Sequence, residues 1–571
     1  MEERLQAWLG RLDEWAEQGR LDRVPGSILG AASLVVLALL ALHATAPAVL
    51  VSDMPMDVFI PLDAGWRTYS GQVPHIDFDT PVGRLYYDVY GLVMHWFGPD
   101  ARAVLWVPAL LAPLVGAATL LASAGRIPRA IAALTATYLT MMAASPIHLD
   151  RDGLVHLASY NRIGWGLVTA VLVAAAIGRS NRTRRTDALD ALLCTTLLVV
   201  LFYVKVTYFA LGGLALLIAV AVVPANRWWA LAAGILTWVL IGLTFATSEV
   251  PWAYIDDIRG AAASADPKWV SASGSRTPGL EKLTADLMDN LWVVLLVFGG
   301  LVGFSRTADE DPALEAEANR VGLTGAGIAA AVLVVGVQSH DHHNPALIAA
   351  ALVPLAAFAS RTSQATKRRR DNRIALALTI ALALVYVPRI GRDAFGIIVH
   401  RALLTSTTGQ VTATEDPSSP VSTLRFVAPG GLESSKARLV KEGRVDAEVY
   451  RELIETFDGA DLAFLLREGT ALINEHAGPE ASSLTLLFAS PFPVVMGAPP
   501  PRDTLSWYHP SRTFGGDNPL VPEVLLADVD VVLVPNTIGT VATAAMKDML
   551  EPWLRENRRR VDTPVWTLWL K

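Results

Sequence analysis

Hydrophobic runs long enough to cross a bilayer recur along most of this chain, and no other feature limits its fold as strongly. A helix of about 20 apolar residues covers roughly 30 Å of hydrocarbon. Runs of that kind fall near 28–50, 101–123, 129–146, 161–178, 187–203, 206–223, 228–247, 289–304, 321–338, 345–360 and 374–392. The chain has 571 residues, of which 52% are hydrophobic and 18% charged, with a mean hydropathy of +0.39. A soluble protein of this length rarely reaches that balance. The expected fold is a polytopic α-helical membrane protein with about 11 transmembrane helices. The single cysteine, Cys194, excludes an intramolecular disulfide.

Arginine and lysine between spans set the orientation. "GRIPR" follows the second span, "GRSNRTRR" the fourth, "ANRWW" the sixth and "ATKRRRDNR" the tenth, so all four share one side, read as cytoplasmic. Residues 1–27 read as a cytoplasmic amphipathic helix on the membrane surface rather than a cleavable signal peptide. The loop at 51–100, the loop near 248–288 and "SHDHHN" then lie outside, as does everything after 393. Residues 28–393 form the membrane domain and residues 394–571 an extracytoplasmic α/β domain. In that domain "SLTLLFAS", "VDVVLVPN" and "TPVWTLWL" read as buried strands, and "ATAAMKDMLEPWLREN" has helix periodicity. No repeat, Walker loop, dinucleotide fingerprint or nucleic-acid-binding signature is present.

"DMPMDVFIPLDAGWRTYSGQVPHIDFDTPVG" follows the first span and holds five aspartates and no lysine. The stretch up to Gly71 suits a helix ended by that glycine; "QVPHIDFDTPVG" reads as an extended turn and "RLYYDVYGLVMHWFG" as an interfacial helix. Carboxylates beside hydrocarbon are costly unless they face a cavity or bind something. The bland alternative is a solvated loop whose aspartates cap helices.

An acidic residue soon after the first span, then a helix, then "GQVPHIDF" resembles the G-x-x-P-Y-x-D-F pattern of the GT-C superfamily. Its members are polytopic glycosyltransferases using polyprenyl-phosphate sugars, among them the aminoarabinose and protein mannosyl transferases. The resemblance implies a catalytic carboxylate fourteen residues before Gly71, which is Asp57, with Asp53 upstream, Asp63 one turn on and Asp77 in the motif. It implies a general base for the incoming hydroxyl and inversion at the sugar carbon.

Such a donor needs cations for its phosphate. Lys205 in "FYVKVTYF" stands between two spans, where the superfamily often has a lysine; the alternative is a snorkelling side chain. Arg84 and Arg162 are further candidates. "SHDHHNP" offers His340, His342 and His343 around Asp341, for phosphate or sugar binding, for capping the tenth span, or for a divalent metal. Metal is not favoured, because relatives using lipid monophosphate sugars mostly act without one. "YHPSRTFGGDNP" is either a plain loop or a binding loop of the outer domain.

The expected function is transfer of a sugar from a polyprenyl-phosphate donor to a glycan, lipid or protein acceptor, outside a bacterial inner membrane. The rivals are a transporter or flippase of a lipid-linked saccharide and a non-catalytic polysaccharide assembly protein. Transporters favour ionisable groups near mid-membrane and internal repeats, whereas here the charges gather at one edge.

Overall fold

The computed structural model describes residues 26–147, 153–156, 159–264, 312–339, 346–347, 349–353, 365–406, 409–433, 436, 459–536 and 540–571. The expected span at 289–304, the N-terminal surface helix and the 340–343 histidines lie outside these residues, and the span at 345–360 lies there in part. Four described helices are long and apolar enough to cross a membrane: α1 (Gly26–Ala44), α4 (Ala103–Ser123), α7 (Arg184–Val204) and α9 (Arg227–Thr247). Packed among them are α5 (Arg129–Ala144), α6 (Ser159–Ala176), α8 (Val206–Val222), α11 (Pro312–Ser339) and α12 (Ala365–Leu403). The protein is a polytopic helical membrane protein. Leu34, Leu114, Leu217, Trp238 and Leu384 are exposed, as expected where the solvent is lipid. Helix α6 is the inner member, buried along nearly its whole length.

The basic loops meet at one end of the bundle. Arg126 donates to Ile177 O (2.7 Å) and pairs with Asp190 (2.5 Å), which Arg179 also grips at 2.6 Å. Asn226 donates to Ala175 O at 2.8 Å. The opposite end holds the acidic loop and the C-terminal region.

That loop contains β1 (Val49–Val51), α2 (Phe59–Tyr69), β2 (Phe78–Asp79) and α3 (Arg84–Phe97). Helix α2 ends as its sequence dictates. Gly71 takes φ +89°, Gly71 N–H donates to Thr68 O (3.1 Å) and Gln72 N–H to Arg67 O (2.9 Å), so the last carbonyls are satisfied. Helix α3 buries Tyr86, Tyr87, Tyr90 and Met94 and exposes Leu92, Trp96 and Phe97. This two-sided pattern suits a membrane interface.

Strands from far along the chain complete the loop. Strand β1 runs parallel to β4 (Leu424–Val427), which β3 (Gln410–Thr412) flanks antiparallel. On the other edge of β1, Leu50 N–H donates to His400 Nε2 and Leu50 O accepts from His156 Nε2, both at 3.1 Å. His400 therefore carries its proton on Nδ1 and His156 on Nε2. Helix α12 continues through position 394 to Leu403, beyond the expected domain boundary, and its last turn supplies His400.

The C-terminal region adds α13 (Gly459–His476), β5 (Ser483–Thr485), α14 (Phe492–Met496), β6 (Thr504–Leu505) and α15 (Pro522–Leu525). It ends with β7 (Val531–Pro535), α16 (Val541–Asn557), β8 (Arg559–Asp562) and β9 (Trp566–Leu570). The sheet order is β5-β7-β9-β8, parallel between β5 and β7 and antiparallel elsewhere. Its core is continuous with that of the acidic loop.

One buried ion pair organises this contact. Asp63 and Arg67, one turn apart on α2, are both inaccessible to solvent and bond at 2.7 Å. Arg67 also donates to Pro501 O (2.7 Å), Gln72 to Pro500 O (2.7 Å) and Trp66 Nε1 to Ala498 O (2.9 Å). Arg67→Ala strands the Asp63 charge and should cost roughly 3–5 kcal/mol, whereas Asp63→Leu with Arg67→Met should lose much less. Melting midpoints of the detergent-solubilised variants check this; a double variant as unstable as Arg67→Ala would refute it.

Candidate functional site

At the end of the bundle away from the basic loops, the acidic turn, the start of α6, the α7–α8 junction and α10 (Val250–Ala263) converge. Asp53 follows β1, and its Oδ1 accepts Met54 N–H at 2.9 Å. The neighbouring Ser52 is tied to Leu154, with Ser52 N–H on Leu154 O (3.0 Å) and Leu154 N–H on Ser52 Oγ (2.7 Å). Asp57 closes the turn into α2: its N–H donates to Met54 O (3.1 Å), and its residue is only 3% exposed. Burial of a carboxylate at this edge is the costly arrangement that a solvated capping loop would not need.

Asp63 and Asp77 stand apart from those two. Asp63 is committed to Arg67. Asp77 Oδ2 accepts Val73 N–H (2.7 Å) and Oδ1 pairs with Arg502 (3.1 Å), so this carboxylate shapes the motif turn and ties it to the C-terminal region.

The cationic candidates occupy three settings. Lys205 is a single extended residue (φ −168°, ψ 123°) between α7 and α8. Its ammonium donates to Asn161 Oδ1 (3.1 Å) and lies 5.4 and 5.5 Å from the centroids of Tyr160 and Tyr208. Tyr208 OH donates to the same Asn161 oxygen at 2.9 Å. An amide oxygen and two aromatic faces thus surround the ammonium. Arg84 pairs with Asp88 one turn on (2.7 Å), both half-buried. Arg162 is buried and donates to the carbonyl of Ser145, holding the chain between α5 and α6.

Helix α3 connects these groups. Tyr86 and Tyr90 each bond to Ser159 Oγ at 3.2 Å, and the Tyr86 ring meets Tyr160 edge-on at 5.1 Å. Arg84 and Lys205 are thus joined through Tyr86 and Tyr160.

Sequence reading did not single out a fourth cluster. His75 Nδ1 and Asp257 Oδ2 are 2.7 Å apart, and the same oxygen accepts Thr80 N–H at 2.9 Å. The Tyr254 ring lies against His75 at 4.6 Å. Burial, with Arg84 nearby, pushes the His75 imidazole down to about 3. Burial pushes the Asp257 carboxyl up to about 7, against the Thr80 hydrogen bond. Burial thus favours the uncharged form of both groups across this hydrogen bond. The sequence reading placed "VPWAYIDD" in a loop near 248–288, whereas the structure makes it helix α10, which is what aims Asp257 at His75. The polar loop "YHPSRTFGGDNP" docks on this helix: Asp517 N–H donates to Ala263 O (3.1 Å) and Asn518 Nδ2 to Ser264 Oγ (3.3 Å).

Among the described residues, no group of three His, Cys, Asp or Glu side chains is placed to hold a metal ion.

Gly83 closes the loop onto the lysine junction. Its N–H donates to Val204 O at 3.0 Å, and its backbone (φ −63°, ψ 148°) is open to any residue. The requirement is space: a Cβ here would lie 2.2 Å from Tyr203 O. Gly83→Ala should therefore displace the 80–84 turn and lower the melting midpoint. Gly234→Ala, where a Cβ meets nothing within 4 Å, should leave it unchanged or raise it. Equal midpoints for the two variants would contradict the close approach.

No family model matches the chain, and no curated protein does. Among solved structures, the chain is similar to ArnT from Cupriavidus metallidurans bound to undecaprenyl phosphate. That likeness has a TM-score of 0.45 and 13% identity, and covers 96% of this chain and 98% of the other. For ArnT from the same organism in the apo state, the TM-score is 0.42 at 13% identity, over 95% of this chain and 97% of the other.

Proposed function

We propose that this protein is a GT-C-type glycosyltransferase that moves a sugar from a polyprenyl-phosphate donor to a hydroxyl acceptor. The observation that carries the reading is Lys205, an ammonium at the break between two membrane helices, at the same bundle end as the buried Asp57. A lipid-anchored phosphate arrives at that depth, and a lysine held by an amide oxygen and two aromatic faces suits it. The acidic turn lies on the aqueous side, where an acceptor hydroxyl approaches.

In this mechanism Asp57 takes the hydroxyl proton as the acceptor oxygen attacks the anomeric carbon from the face opposite the phosphate. The bond from that carbon to the phosphate oxygen breaks, its electrons pass to the phosphate, and configuration inverts. Lys205 stabilises the leaving phosphate, and Arg84 is the second cation within reach of the aqueous edge. Asp53 is the alternative base. Asp77 and Arg162 contribute by holding the turns that carry the reacting groups.

Asp57→Asn keeps size and most hydrogen bonding but loses the proton-accepting charge. It should preserve expression and donor binding while lowering turnover by about 10²-fold or more. The assay compares it with Asp53→Asn and Asp77→Asn on one donor and acceptor. Normal turnover by Asp57→Asn with a dead Asp53→Asn reassigns the base. Full activity in all three removes the loop from the chemistry and favours a transporter or an assembly protein.

The same reading places the basic loops in the cytoplasm and the acidic loop and C-terminal region outside. The meeting of the 126, 179 and 226 loops at one end supports it. Cys194 is buried, so an introduced cysteine can be read against a low background. Thr412→Cys in intact spheroplasts should react with an impermeant thiol reagent, and Gln364→Cys should not. The reverse pattern would invert the topology.

A further inference from the structure

The break at Lys205 leaves backbone groups for which helix geometry provides no partner. Helix α8 begins with N–H groups lacking an intrahelical acceptor, and α7 ends with carbonyls lacking a donor. Near hydrocarbon these must be satisfied by protein. On one side, Val206 N–H donates to the Tyr254 hydroxyl at 3.1 Å. On the other, Val204 O accepts Gly83 N–H at 3.0 Å.

Both partners trace back to α10. Tyr254 and Asp257 lie one turn apart, on the same helix face. Tyr254 is buried, its ring packed edge-on to Phe202 (5.7 Å) and against His75 (4.6 Å). Asp257 holds Thr80 and His75, which fixes the turn that ends in Gly83. The far end of α10 is itself fixed, by Asp517 and Asn518 on Ala263 and Ser264.

We propose that Tyr254 and Asp257 are positioning residues that set the backbone break from which Lys205 projects, and so set affinity for the lipid phosphate. The hydroxyl holds the break directly and the carboxylate holds it through the 80–83 turn. The inference rests on the glycosyltransferase reading only in naming the phosphate ligand.

The test is a double-mutant cycle in nanodisc-reconstituted full-length protein, titrated with undecaprenyl phosphate. Tyr254→Phe and Asp257→Ala, each removing a hydrogen-bonding group, should each weaken binding about 3–10-fold in the parent protein, the range of one lost hydrogen bond. In a Lys205→Ala background each should change it by less than about 2-fold, because a residue acting through the ammonium has nothing left to position. Equal losses in both backgrounds, or unchanged affinity in the parent, would overturn the proposal.

Amide hydrogen exchange supplies a readout free of the ligand: Val206 should exchange faster in Tyr254→Phe and at the parent rate in Asp53→Asn. Unaltered Val206 exchange in Tyr254→Phe would refute the positioning role by itself. Absence of saturable binding by the parent protein would instead remove the glycosyltransferase reading. If Tyr254→Phe does not fold, Asp257→Ala alone runs the cycle.

Discussion

A membrane helix that stops and restarts at the edge of the hydrocarbon exposes peptide groups where water is scarce, and something else must bond to them. In this protein that requirement falls at one residue, Lys205, between α7 and α8. Its solution draws in the rest of that end of the bundle. Gly83 brings the acidic loop against the last carbonyl of α7, and Tyr254 brings α10 against the first amide of α8. The Tyr86–Tyr160 contact then fixes α3 against the start of α6. An arrangement imposed by hydrogen-bond bookkeeping is also one that gathers an ammonium and carboxylates at a single membrane edge.

The second organising interaction is the Asp63–Arg67 pair. A carboxylate fully removed from water is destabilised, and burial raises the Asp63 carboxyl against the pull of Arg67. The guanidinium compensates by bonding outward as well, to Pro501 O and Gln72 Oε1. Such pairs contribute more to defining which surfaces meet than to net stability. It sits between the aspartates at 57 and 77, so an acidic loop that reads as one cluster in sequence divides into parts. Asp63 bonds to Arg67 and Asp77 to Arg502 and Val73, while Asp53 and Asp57 lie in the turn between β1 and α2.

Features set by local periodicity and turn chemistry were legible in the sequence. The apolar runs at 101–123, 187–203 and 228–247 became spanning helices, Gly71 ends α2 by its left-handed backbone, and the 84–97 segment is an amphipathic helix. Pairings between distant segments were not legible. Nothing around position 75 indicates that its imidazole meets a carboxylate 182 residues later. Nor did the sequence show that Arg162, read as a phosphate ligand from its place on the outer side, also bonds the Ser145 carbonyl after α5. The strand–helix–strand order near the C-terminus suggested a small α/β domain but carried no strand directions. In the structure β8 returns the chain so that β9 runs against β7.

The parallel pairing of β1 with β4 joins Val49 to Leu424, and that of β2 with β6 joins Phe78 to Thr504. During synthesis the acidic loop leaves the membrane long before either partner strand exists. Its helices can form locally, but its edges and the acceptors of Trp66, Arg67 and Gln72 arrive with the last part of the chain. Closure of so long a loop is entropically slow compared with helix formation. This end of the protein is therefore assembled last, and a chain interrupted before residue 505 would lack the partners that shape its acidic loop.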